Sequence, residues 1–193
     1  LKYGTKYITI EENATQLGVS KKTIDDSYSD KNELVYEVIV DMLRFNKDCC
    51  QSYKTNSHNA VDEIFQDLDM LQVIVDNMNP SILFDIERNY PATYKKFKEY
   101  KYKYLFELVK DNIERGIREE LYRPEINIDI VAKVRLETMM LPFDEQLFPK
   151  NKFSMVMLHQ QLIEYFLFGI ASMKGYKLIL KYQKERLNKT AVQ

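Results

Sequence analysis

Apolar residues recur at intervals of three and four along most of the chain. Leu34, Val35, Val38, Ile39, Met42, Leu43 and Phe45 keep this spacing and predict a long helix, opened by a capping box at Asp30-Lys-Asn-Glu33. After a polar break at Asn56 to Asn59, the stripe Val61, Ile64, Phe65, Leu68, Leu71, Ile74, Val75 predicts a second. Asn79-Pro80 reads as N-cap and first residue of a short helix reaching Arg88. Tyr90-Pro91 starts another that runs to Glu120, and a connector containing Pro124 separates it from a helix over 128–141. Beyond Pro142 and Pro149 a long helix spans Phe153 to Met173, and Gly175 is expected to divide it from a basic tail helix. No stretch alternates as a strand does and none repeats. The fold class is all-α, with about nine helices.

The first thirty residues carry shorter elements. Leu1-Lys-Tyr-Gly4 resembles the last turn of a helix ending at a glycine, so the first helix is expected to be incomplete at Leu1. Thr9-Ile-Glu-Glu12 is a capping box for a helix over Ile10 to Leu17. Gly18 then permits a sharp turn, and Ser20 caps a second helix over Lys21 to Tyr28. Ala14 lets the two helices approach, and Leu17, Val19 and Ile24 are spaced to fill the core between them. This is a helix-turn-helix, which would present its second helix to a major groove.

Composition narrows the classes. Hydrophobic residues make up 45% of the 193, too many for a disordered chain, and five Gly and five Pro suit long helices with short loops. A net charge of −1 predicts no bulk attraction to nucleic acid or membrane, so any nucleic-acid contact must be local. The adjacent Cys49 and Cys50 are poorly placed to bridge each other and read as reduced thiols. No apolar run approaches the roughly 18 residues of a membrane span, and the start lacks the layout of a signal peptide. A cytoplasmic protein without membrane contact is expected. His58 and His159 lie far apart, and neither has a Glu three residues before it, as a di-iron bundle requires. The sequence has no phosphate loop, no G-x-S-x-G elbow and no zinc-like Cys/His cluster. No enzyme, metal or cofactor is expected.

The segment "ITIEENATQLGVSKKTIDDSYSDKNELVYEVI" resembles the DNA-binding segment of TetR/AcrR-type transcriptional repressors. The segments "YPATYKKFKEYKYKYLFELVKDNIERGIREELYRPEINIDIVAKVRLE" and "HQQLIEYFLFGIASMKGYKLILKY" resemble, more weakly, the regulatory domain of such bacterial proteins. The resemblance implies a helix-turn-helix domain over residues 1–46 and a ligand-binding and dimerisation domain over 47–193. It implies operator DNA as partner, a homodimer joined through the last two long helices, and a ligand that moves the fourth helix. Ser20, Lys21, Lys22, Thr23, Tyr28 and Lys6 are the candidate DNA contacts.

The recognition segment departs from the family pattern. Where the family usually reads T-I-Y-x-Y-F, this chain reads Thr23-Ile-Asp-Asp-Ser-Tyr28, and Asn13 replaces a usual aliphatic. Residues 1–30 hold four Lys against five acidic residues, and Asp25 and Asp26 oppose phosphate contact, although an Asp can accept from cytosine N4. Two readings follow. One is a ligand-responsive repressor; the alternative is a dimeric small-molecule-binding or interaction module of the same fold with weak or lost DNA binding.

The ligand is expected to be a small apolar or aromatic molecule, because Tyr and Met abound on the middle helices. A Tyr ring packs while its hydroxyl orients a polar group, and Met adapts to shape. By helix and face the candidates are Phe65, Met70, Tyr104, Leu108, Leu136, Met139 and Met140. Lys95, Lys96, Lys98, Lys101 and Lys103 read as a solvated face opposite the aromatic stripe. The expected dimer interface is Leu158, Leu162, Tyr165, Phe166, Gly169 and Met173, joined by Val131, Val134 and Thr138, with Gly169 allowing close backbone approach. His159 beside that stripe reads as an interface or core histidine.

Overall fold

The structure, a computed structural model, describes residues 30–77 and 81–190. The expected helix-turn-helix and every candidate DNA contact lie outside the described residues. Among those described there are eight α-helices: α1 (Lys31–Asn56), α2 (Ala60–Asn77), α3 (Ile82–Asn89), α4 (Pro91–Glu99), α5 (Phe106–Arg118), α6 (Ile128–Thr138), α7 (Met155–Ile170) and α8 (Met173–Thr190). A π-helical stretch, Tyr100–Leu105, joins α4 to α5, and a 3-10 turn, Leu141–Phe143, follows α6. The fold is all-α. No helix among the described residues is long and apolar enough to cross a membrane.

Local chemistry accounts for the helix starts. The Asp30 carboxylate accepts from the Glu33 amide at 2.9 Å and caps α1, which then buries Leu34, Val35, Ile39, Leu43 and Cys50 along one face. Phe45 lies off that face and is exposed. Asn59 caps α2 by accepting from the amides of Val61 and Asp62, and Asn127 and Ser154 cap α6 and α7. The α1 helix continues through residue 46 without interruption, so the boundary expected there falls inside one helix.

Three expectations are corrected. The helix after Pro91 is not α-helical throughout: the π-helical turn interrupts it and changes which side chains face inward. Lys101, expected on the solvated face, is therefore buried and pairs with Glu137 at 2.7 Å. Gly175 does not separate two helices. It lies in the first turn of α8, where a Cβ would run into the Leu121 carbonyl. The break falls instead at Ala171 and Ser172, pinned by an antiparallel bridge from Tyr122 to Ala171 and by Ser172 N donating to Leu121 O at 2.9 Å. The connector that makes these contacts leaves α5 through Glu120, a non-glycine residue in the left-handed region (φ 59°).

Two cores result. One gathers Val61, Ile64 and Leu68 of α2 with Ile113 of α5, Ile163 and Leu167 of α7 and Ile179 of α8. The other gathers Val35, Ile39 and Leu43 of α1 with Ile82 and Ile86 of α3, Phe97 of α4 and Leu136 of α6. The candidate site lies where they meet.

Candidate functional site

A cavity of about 110 Å³ opens between the two cores. Helix α1 contributes Met42, Leu43, Asn46 and Cys50, and α2 contributes Asp67 and Met70. Phe97, Tyr100, Leu105 and Leu108 come from the run α4 to α5, Met139, Met140 and Phe143 from the end of α6 and the turn after it, and His159 from α7. The π-helical turn matters here, because it brings both Tyr100 and Leu105 to the wall. A wider cleft of about 630 Å³ shares Leu83, Phe97, Met140 and Phe143 with the cavity and reaches the surface beside Lys98 and Glu145.

The walls are mostly apolar, yet besides Tyr100 three polar side chains reach them. Asn46 Oδ1 and His159 Nδ1 are buried without a hydrogen-bond partner among the described residues. Such groups are few in folded proteins and costly unless something satisfies them. The third is Asp67, half-buried in the wall, where burial pushes its carboxyl up to about 7 against the pull of Arg135. Burial pushes His159 the other way, down to about 3, with the Arg135 charge adding to the effect, so the imidazole is neutral.

Arg135 stands behind the wall. It is almost fully buried, its two terminal nitrogens have no hydrogen-bond partner among the described residues, and its guanidinium lies 5.1 Å from the centre of the Phe166 ring. Burial lowers it to about 10, offset by Asp67. The two charges balance through space rather than in a contact ion pair.

Of the residues expected to face a ligand, Met70, Leu108, Met139 and Met140 line the cavity. Phe65, Tyr104 and Leu136 do not. Phe65 packs on Tyr182 in the first core, with ring centres 5.8 Å apart. Leu136 is sealed in the second core. Tyr104 stacks on Tyr100 at 5.4 Å and faces an outer groove beneath Lys47, 4.9 Å above its ring. Asn46, Asp67 and His159 were not among the ligand candidates. Their signal is a polar residue on an apolar stripe: Asn46 between Leu43 and Cys50, Asp67 between Ile64 and Leu71, His159 between Met155 and Ile163.

The residues expected at a dimer interface divide. Tyr165 and Met173 are exposed, at 75% and 77%, and a Cβ on Gly169 would meet open space. Leu158 and Leu162 are half-buried. Phe166 is the exception: it is buried in the first core under Arg135 and faces inward. Met157, Tyr176 and Leu180 extend the exposed apolar surface of α7 and α8.

No protein-family model matches the sequence, and no curated protein does. Solved structures share the fold. A TetR-family transcriptional regulator from Agrobacterium tumefaciens is 11% identical, with TM-score 0.71 over 89% of this chain and 91% of the other. A transcriptional regulator from Cytophaga hutchinsonii is 18% identical, with TM-score 0.69 over 89% and 92%. A candidate transcriptional regulator from Saccharomonospora viridis in complex with choline is 16% identical, with TM-score 0.70 over 87% and 89%. The chain has the fold of TetR-family transcriptional regulators.

Proposed function

We propose that this chain is a ligand-responsive transcriptional repressor of the bacterial cytoplasm that binds operator DNA as a homodimer. The observation that carries the reading is the cavity between the two cores, walled in part by α1. This helix starts directly after the segment in which the sequence predicts the helix-turn-helix. An occupant pressing on Met42, Leu43 and Asn46 would move α1 as a rigid rod, and with it whatever is joined to Asp30. The choline-bound neighbour supports the reading, because there the same fold holds a small molecule. The exposed apolar face of α7 and α8 supports the homodimer, since an apolar face of this extent calls for a cover.

Asp25 and Asp26 favour a second reading, a dimeric small-molecule-binding or interaction module whose DNA head is weak or lost. One titration separates the two. The full chain is added to a fluorescent duplex of its own upstream intergenic DNA over a salt series. Tight binding that weakens steeply with salt and survives excess random DNA is expected of a repressor. Binding no better than to random DNA at low salt supports the second reading.

A further inference from the structure

The cavity's size, polarity and charge together specify an occupant. At about 110 Å³ it is somewhat smaller than the roughly 150 Å³ apolar cavity that accepts benzene, and four methionines around it can give way. A single ring suits this volume. Phe97, Tyr100 and Phe143 supply aromatic faces for that ring.

Asn46, Asp67 and His159 come from three different helices, and the unpartnered atoms on Asn46 and His159 are buried. Asn46 Oδ1 can only accept, Asp67 accepts and, while it holds its proton, also donates, and a neutral His159 nitrogen accepts or donates according to tautomer. A purely apolar occupant would exclude water and leave all three unserved. A hydroxyl donates to one of them and accepts as well, which a methyl group cannot do.

Charge excludes the ionic alternatives. Arg135 and Asp67 already offset one another beside the cavity. An ammonium would have to compete with Arg135 for Asp67, and a carboxylate would meet Asp67 on the wall with Arg135 behind it. We propose that the cavity takes a neutral molecule of single-ring size whose hydroxyl hydrogen-bonds to the unpartnered groups of the wall, Asn46 Oδ1 or His159 Nδ1. The proposal rests on the ligand-responsive reading above and names the ligand's chemistry.

The test is calorimetric titration of the full chain with four matched probes: phenol, toluene, benzoate and benzylammonium. Phenol is expected to bind saturably and at least about tenfold more tightly than toluene, its methyl isostere. Benzoate and benzylammonium are expected to bind more weakly than phenol. Asn46→Leu and His159→Phe, with unfolding midpoints confirming that each folds, are expected to erase the preference for phenol over toluene. Equal affinity for phenol and toluene, a preference for either ion, or no saturable phenol binding overturns the proposal. Adding the same probes to the protein–duplex complex keeps the two readings apart. Selective phenol binding without duplex release supports the cavity chemistry and counts against the regulator. Release by toluene as readily as by phenol does the reverse.

Discussion

Asp67 and His159 border one cavity from α2 and α7, and burial drives their proton affinities in opposite directions. Folded Asp67 holds its proton up to about 7, whereas its ordinary value is 3.8. Between these values the folded state binds more protons than the unfolded, so this group makes stability fall as pH rises. Folded His159 releases its proton above about 3, whereas its ordinary value is 6.5. There the unfolded state binds more protons, so stability rises with pH. The two slopes oppose each other across their shared window. Urea unfolding over a pH series reads them apart. His159→Phe leaves the Asp67 slope, and stability is expected to decline from pH 3.8 to 7. Asp67→Asn leaves the His159 slope, and stability is expected to climb from pH 3 to 6.5. Slopes of the same sign in both variants would refute the assignment.

Arg115 ties three helices together. Its guanidinium donates to Ser57 Oγ and Ser57 O at the end of α1, to Glu63 of α2 at 2.8 Å, and to Glu119 just beyond α5 at 2.8 Å. Glu63 is buried, so Arg115→Met strands its charge. A loss of about 3 kcal/mol in urea unfolding is expected. Glu119→Gln disturbs a partly exposed pair and is expected to cost under about 1 kcal/mol. Comparable losses in the two variants would show that Glu63 does not depend on Arg115.

Gly116 faces the Tyr122 ring so closely that a Cβ would overlap it. Tyr122 has little room to retreat, because its hydroxyl, with one proton to share between them, lies 3.2 Å from Ala60 O and 3.1 Å from Asn112 Oδ1, both in the interior. Gly116→Ala is expected to cost on the order of 1–3 kcal/mol by overpacking. A melting temperature equal to that of the parent chain would mean that the connector shifts freely.

Because the space above Gly169 is open and Tyr165 is exposed, Gly169→Glu and Tyr165→Glu disturb nothing inside one protomer. Each is expected to halve the mass in sedimentation equilibrium while leaving the circular dichroism of the helices unchanged. A dimer mass that survives both would remove this face from the interface.

Much of the fold is legible in the sequence because its causes are local. The stripe Leu34, Val35, Ile39, Leu43 and the Asp30 cap act between residues three or four apart, so α1 and its start follow from spacing alone. Met70 and Leu108 could be placed near a cavity for a similar reason, as each lies on the inner face of its helix, and Met139 and Met140 follow directly on the end of α6. Other features escape such reading. Lys101 has four lysine neighbours in sequence that suggest solvent, but a π-helical turn carries it to Glu137. Phe166 shares a stripe with Tyr165 and Gly169, and only the packing of α7 against α2 decides that Phe166 turns inward, under Arg135.

The sequence by itself determined which segments are helical, where several begin and which face of each is apolar, because hydrogen bonds and caps along a helix link near neighbours. Only the tertiary structure decided that Asn46, Asp67 and His159 converge. Those residues lie 21 and 92 positions apart along the chain. Their meeting depends on how α1, α2 and α7 close around two cores, and ridge-into-groove packing of whole helices settles that over distances no local pattern records.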